Sequence, residues 1–103
     1  MSESDIEYLK SILRAKRFTT TKTYVKSVVC MTSQHGDYKT SITIHTSGYA
    51  SICISREGFY TTYGYCGKER LTMDVVSLIQ RTTYVPIQEL TKGKLEGLGW
   101  EVI

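Results

Sequence analysis

The chain of 103 residues lacks the features that would assign it to several large classes of protein. It has no apolar stretch near the roughly twenty residues that cross a bilayer, so we expect no membrane partner. It has one proline and no low-complexity run, which leaves no candidate linker between domains. Two domains of about fifty residues would each have a marginal core, and we therefore predict a single domain over residues 1–103.

Cysteine is also scarce, and its spacing matches no framework of disulfides or metal ligands. Cys30, Cys53 and Cys66 are odd in number and include no CxxC pair. We interpret all three as reduced thiols that pack as small hydrophobic side chains in strands, and we expect no metal and no cofactor. Residues 1–5 carry acids rather than the bases of a secretory or transit peptide, so the expected location is cytoplasmic.

The sequence motifs of the common enzyme classes are absent. The chain contains no Walker A loop, GxGxxG fingerprint, GxSxG elbow or HExxH pair. The one candidate nucleophile and base, Cys53 and His45, lie on one face of the predicted sheet, but diagonally, with Cβ atoms about 7 Å apart. A thiolate needs its imidazole within hydrogen-bond reach, so we predict that the protein is not an enzyme.

Charge is nearly balanced but unevenly distributed. Thirteen Lys and Arg against ten Asp and Glu give a net charge of +3, below the dense basic footprint of a duplex-binding domain. The simplest interpretation of the basic N-terminal run is a favourable interaction with the macrodipole at the C-terminus of a helix. The bases of this acid-free run are Lys10, Arg14, Lys16, Arg17, Lys22 and Lys26.

Helices are predicted on both sides of a central region. Ser4 and Glu7 form a capping box for a first helix over 5–17, which has apolar residues at helical spacing. Thr72 is the expected N-cap of a second helix that runs to about Arg81.

The C-terminal part of the chain is predicted to be short and packed against the core. Pro86 blocks continuation of the second helix, and Thr91 caps a short helix over 92–97. Trp100 is expected in the core, at the start of a short final strand or packed tail over 100–103.

Between the helices, residues 19–66 favour β-structure. They contain ten Thr and six Tyr and are interrupted by Gly36, Gly48 and Gly58. This composition predicts a four-stranded antiparallel meander. Together with the helices it indicates an α+β fold in which the helices pack on one face of the sheet.

The three turns set the register, and the register decides which residues share a face of the sheet. The predicted pairs across the turns are Val29–Ile42, Ile44–Ile52 and Ser55–Phe59. One face is then aliphatic and contains Val25, Val29, Met31, Ile42, Ile44, Ala50, Ile52, Ile54 and Tyr60. The opposite face is mixed and contains Tyr24, Lys26, Cys30, Thr43, His45, Tyr49, Ser51, Cys53, Phe59, Thr61, Tyr63 and Tyr65.

The mixed face is the candidate functional surface, because it groups aromatic residues where a sheet covered on one side normally shows polar residues to water. Tyrosine offers a large contact area with a polar tip and is enriched at binding surfaces. Two alternatives stay open: the C-terminal segment covers this face, or two copies of the sheet pack together. The residues expected to contact a partner are Tyr24, Lys26, His45, Tyr49, Phe59, Tyr63 and Tyr65.

We therefore predict a small non-enzymatic module that binds another protein, of the accessory or inhibitory type found in viruses, and occludes a surface of that partner. The alternative is that the same face binds single-stranded nucleic acid or a nucleotide, with aromatic rings stacking on bases and cations holding phosphates. Lys26 is the one cation predicted on that face, which ranks nucleic acid second. A homo-oligomer could form through the sheet face or through an edge strand.

Overall fold

The computed structural model describes residues 2–21, 27–46, 50–56, 59–66 and 75–100, with the backbone alone at 56 and 59–66. Along the chain, a helix comes first, an antiparallel sheet follows, and two further described helices come after the sheet. The elements are α1 (Glu3–Ala15), β1 (Thr19–Thr20), β2 (Ser27–His35), β3 (Tyr38–His45), β4 (Ala50–Arg56), β5 (Phe59–Cys66), α2 (Val75–Thr83), a 3₁₀ turn (Ile87–Glu89) and α3 (Lys92–Leu98). The predicted α+β fold is confirmed.

The described residues form a sheet of five strands in the order of the chain, because a two-residue strand precedes the four that the sequence predicts. Strand β1 pairs Thr19 with Thr32 and Thr20 with Met31, and so extends the sheet beyond β2. A segment this short has no measurable hydrophobic period, which is why the sequence pattern did not predict it.

Helix α1 begins earlier than predicted. Its N-cap is Ser2, whose side chain accepts a hydrogen bond from the Asp5 backbone N–H at 3.2 Å. The predicted cap, Ser4, lies within the first turn. The sequence places an acid three residues after each of the two serines, Asp5 after Ser2 and Glu7 after Ser4. Capping at the earlier serine lengthens an already nucleated helix, which costs little because each added residue forms a further hydrogen bond.

The same helix ends at Ala15, earlier than the predicted Arg17, because Arg17 adopts the left-handed conformation with a φ of +66°. The Arg17 N–H donates to the Arg14 carbonyl at 3.0 Å, and the Phe18 N–H donates to the Leu13 carbonyl at 2.9 Å. These two bonds form a Schellman motif. Leu13 and Phe18 both belong to the buried core, so the motif directs the chain from the helix back to the sheet.

Replacing Arg17 with glycine should stabilise the protein. A residue with a Cβ in the left-handed region is strained by about 1 kcal/mol or more, and glycine is not, although glycine gains entropy in the unfolded chain. We expect a net gain of about 0.5 kcal/mol and a rise in Tm of a few degrees, measured by thermal circular dichroism. Arg14→Gly, at an exposed position inside the helix, is the control and should lower the Tm. A lower Tm for Arg17→Gly would contradict the capping role.

The first two hairpins have registers two residues away from the predicted ones. Val29 pairs with Ile44 rather than Ile42, and Ile52 pairs with Ile42 rather than Ile44. A shift of two residues leaves every side chain on its predicted face, because the period of a strand is two. The first turn is a two-residue loop in which Gly36 has a φ of +62°, as tight hairpin turns require.

The helices cover one face of the sheet and form the core with it. Leu9 and Leu13 of α1 and Val75 and Ile79 of α2 lie in one buried cluster with the aliphatic strand residues, as predicted. Val25, also assigned to this face, lies outside the described residues. The buried aliphatic residues of the strands are Val29, Met31, Ile42, Ile44, Ala50, Ile52 and Ile54.

The C-terminal helices follow the prediction where they are described. Thr72, the predicted cap of α2, lies outside the described residues. Helix α3 begins at the predicted cap, where Thr91 Oγ1 accepts a hydrogen bond from the Lys94 N–H at 3.3 Å. Trp100 is buried as predicted, and the rest of the predicted final strand, 101–103, lies outside the described residues. None of the described helices is both long and apolar enough to cross a membrane.

Candidate functional site

The predicted aromatic surface falls only partly within the described structure. Tyr24, Lys26 and Tyr49 lie outside the described residues. Of the predicted contact residues, His45 is the one whose side chain is described. It is half-buried at the end of β3, with its Nε2 atom 3.4 Å from Ser51 Oγ.

Strand β5 has a different register from the predicted one. Tyr63 pairs with Ile54, and Tyr65 pairs with Ile52. Directly opposed residues of an antiparallel pair share one face of the sheet. In this register both tyrosines align with residues of the aliphatic face, whereas the sequence pattern placed them on the mixed face; their contact with a partner stays a prediction.

The difference in register arises at the third turn. The loop between Arg56 and Phe59 has two residues instead of the predicted three, and the ladder is irregular on β4 just before Arg56. An odd change of register moves each residue of a strand to the opposite face. Phe59 pairs with Arg56 beyond this irregularity. The assignment of Tyr60 to the aliphatic face stays a prediction.

The face of the sheet away from the helices is built from small hydroxyl and thiol side chains. Several hydroxyls bind each other: Thr32 Oγ1 lies 2.8 Å from Thr21 Oγ1 and 3.2 Å from Ser41 Oγ. Cys30 Sγ lies 3.6 Å from Thr43 Oγ1. We define the hydroxyl face by its half-buried members on β2, β3 and β4, which are Cys30, Thr32, Ser41, Thr43, Ser51, Cys53 and Ser55.

Charge is sparse on the hydroxyl face. Lys39 and His45 flank it on β3, at the positions that alternate with the buried residues. Among the described side chains of β2, β3 and β4, no Asp or Glu occupies such a position. The described part of this face is therefore uncharged at its centre and weakly basic at its edge.

The Cys53 thiol of the hydroxyl face is not activated for nucleophilic chemistry. Burial raises the pKa of the Cys53 thiol, and the nearby Lys39 ammonium offsets this increase only in part. A raised pKa keeps the thiol protonated at neutral pH, whereas the thiolate is the nucleophile. The described His45 ring contacts Ser51 across the sheet. In the described ranges, no three His, Cys, Asp or Glu side chains lie close enough together to hold a metal ion.

A second surface lies on the helix-covered side of the sheet. A cavity of about 310 Å³ lies between strands β3 and β4 and the segment that follows α2. Its deep side is formed by Thr40, Ile42 and Ile52, which are all nearly inaccessible to solvent. Val85 and Leu90 contribute apolar side chains from the opposite wall. The sequence pattern predicted this region only as core.

The mouth of the cavity is polar and carries a cation. The exposed residues Lys16, His35, Tyr84 and Gln88 line it. The Lys16 Nζ atom lies 5.4 Å from the centroid of the Tyr84 ring, within the range of a cation–π interaction. No Asp or Glu is found among the described lining residues.

One polar atom at this cavity is unsatisfied. Thr40 Oγ1 is buried and has no hydrogen-bond partner among the described residues. Thr40 occupies a core-facing position of β3 in line with Ile42 and Ile44, where its sequence context indicates nothing more than a β-branched strand residue. In the sequence, this site was indicated only by Thr40, a polar residue at a position where the strand pattern otherwise places aliphatic residues.

Comparisons with protein-family models, with curated proteins and with solved structures each find no match to this chain. Function is therefore inferred from the chemistry of the hydroxyl face and of the cavity.

Proposed function

We propose that this protein is a non-enzymatic module that binds another protein through the hydroxyl face and acts by occluding the surface it covers. The observation that carries the proposal is the asymmetry of the sheet. Helices bury one face, while the other face presents half-buried Ser, Thr and Cys side chains with no charge at its centre. Depletion of charge at the centre of a surface patch is characteristic of the cores of protein interfaces.

The hydrogen bonds within the hydroxyl face favour its burial by a partner. Thr21, which follows β1, Thr32 on β2 and Ser41 on β3 form a chain of hydroxyl contacts. Covering a hydroxyl is costly when its hydrogen bonds to water are lost without replacement. These hydroxyls already bind one another, so a partner can exclude water here without leaving them unsatisfied.

The charges around the face indicate the chemistry of the partner. Lys39 is exposed beside the hydroxyl face, and the described positions of the same face contribute no acid. A partner with a neutral contact patch and an acidic rim complements this arrangement. Such rim charges act mainly on the association rate and on its salt dependence.

The corrected register of β5 weakens the nucleic-acid alternative. Base stacking requires aromatic rings on the open face of a sheet. Of the five aromatic residues assigned to that role, Tyr63 and Tyr65 align with residues of the covered face, and Tyr24 and Tyr49 lie outside the described residues. Lys39 is the one Lys or Arg among the described strand side chains on the side of the hydroxyl face. A single cation neutralises little phosphate charge.

The test is a substitution at the centre of the hydroxyl face. The tagged protein is used to isolate a partner from its source cells, and the Kd is then measured with the purified partner. We expect Thr43→Arg to weaken binding at least about tenfold, because it places a charge in the middle of the interface. Ser11→Arg, at an exposed position of α1, is the matched control and should bind like the parent.

Two results would contradict this proposal. One is an unchanged Kd for Thr43→Arg in a protein whose Tm matches that of the parent. The other is recovery of nucleic acid with an affinity that falls steeply between low and moderate salt, since phosphate contacts release counterions.

A further inference from the structure

We propose that the cavity beside β3 and β4 binds a small carboxylic acid with an apolar body and a second polar group at the end remote from the carboxylate. This site lies on the helix-covered side of the sheet and is independent of the hydroxyl face. Three observations support it: the volume and lining of the cavity, the unsatisfied Thr40 hydroxyl at its deep side, and the Lys16 cation at its mouth.

The size and lining of the cavity suit a small molecule. Its volume of about 310 Å³ lies at the lower end of the range for ligand pockets. Ile42, Ile52 and Leu90 contribute an apolar surface that forms no hydrogen bonds with water. An aromatic ring or a branched aliphatic body with two polar ends fits both the volume and this surface.

Thr40 indicates where the inner polar group of the ligand lies. Its side chain is 1% exposed, and Oγ1 has no hydrogen-bond partner among the described residues. A buried hydroxyl without a partner destabilises the folded protein, and nearly all such groups in proteins are satisfied. A hydroxyl or carbonyl group on the ligand would supply the missing hydrogen bond.

Lys16 indicates where the carboxylate lies. It is exposed at the mouth of the cavity, and it is held over the face of the Tyr84 ring. The described lining contains no acid that would neutralise it or repel an anion. His35 and Gln88 lie at the same mouth and add nitrogen donors for a carboxylate.

Two pairs of probes separate the contributions of these groups. The reference probe is 4-hydroxyphenylacetate. The probe 4-methylphenylacetate lacks the group that would meet Thr40, and 4-hydroxyphenylacetamide lacks the charge that would meet Lys16. Binding is followed at neutral pH by NMR of protein with labelled isoleucine methyl groups, in which Ile42 and Ile52 report on the cavity.

We expect saturable shifts of the Ile42 and Ile52 methyl signals with the reference probe. The acid should bind about three- to fivefold more tightly than its amide, which is the effect of one partly exposed ion pair. Lys16→Gln should abolish that difference. Thr40→Val should abolish the preference for the hydroxyl over the methyl probe, whereas Thr40→Ser should retain it.

The stability of Thr40→Val distinguishes a ligand contact from a structural role. Valine has nearly the same shape and no polar atom, so we expect this variant to have a higher Tm than the parent while it loses selectivity for the probe. The proposal is overturned if no saturable shift occurs at Ile42 and Ile52, or if acid and amide bind the parent equally. It is also overturned if Thr40→Val lowers the Tm and leaves probe selectivity unchanged. None of these results bears on the hydroxyl face, whose test uses Thr43 and Ser11.

Discussion

Ile44→Ala is expected to destabilise the protein by about 2–5 kcal/mol, the range for truncating a fully buried aliphatic side chain. Ile44 is 0% exposed and lies in β3, the middle strand of the sheet. Its Cα partners are Val29 on β2 and Ala50 on β4. Alanine would remove three carbons between these strands and the helices, and a neighbour as small as Ala50 can fill little of the space. Urea unfolding followed by circular dichroism measures the loss.

Two control substitutions sharpen this prediction. Ile44→Val removes one methyl group and should cost about 0.5–1.5 kcal/mol, so the cost should increase with the volume removed. Thr43→Ala alters the adjacent residue, whose side chain lies on the hydroxyl face, and should cost about 1 kcal/mol or less. Equal costs for Ile44→Ala and Thr43→Ala would show that the assignment of faces on β3 is wrong.

Thr82→Val is expected to cost about 1–3 kcal/mol, although threonine and valine have almost the same shape. The Trp100 indole N–H donates to Thr82 Oγ1 at 2.9 Å, and the Thr82 hydroxyl donates to the Leu78 carbonyl at 2.7 Å. Thr82 and Trp100 are each 2% exposed, so water cannot replace a lost partner. Valine would leave the indole N–H buried without an acceptor. Urea unfolding followed by circular dichroism measures this change as well.

A double-mutant cycle isolates the hydrogen bond from the other effects of these substitutions. In Trp100→Phe there is no indole N–H, so adding Thr82→Val should cost much less than it does in the parent. The coupling energy between the two sites is expected to be about 1 kcal/mol or more. Strictly additive costs would mean that the indole and the hydroxyl do not stabilise each other.

The helices and the core of this protein could be predicted from local patterns. The burial of Leu9, Leu13, Val75 and Ile79 follows from helical spacing, and the cap at Thr91 follows from residue type. The starting residue of α1 could not be predicted, because Ser2 and Ser4 offer equivalent caps. Local sequence does not choose between two such caps, which differ only by half a turn of helix.

The candidate surfaces were less predictable, and the reasons differ. On β5, one residue of loop length decides whether Tyr63 and Tyr65 align with Ile54 and Ile52 or alternate with them. Tyrosine is common on either face of a strand, so its own preference cannot choose between the two registers. The cavity arises where the segment after α2 passes the sheet. Its residues Lys16, Thr40 and Val85 are far apart in the sequence, and no periodicity relates them.

The sequence by itself determined the α+β fold, the helix-covered aliphatic face and the burial of Trp100. Each depends on a period or on a residue type, and the two-residue register shifts at the first two turns do not alter which face a side chain occupies. Only the tertiary structure decided the register of β5 and the presence of a cavity beside Thr40. These features depend on the parity of one loop and on contacts between distant segments. They follow from the free energy of the whole fold and cannot be predicted from any local segment of the sequence.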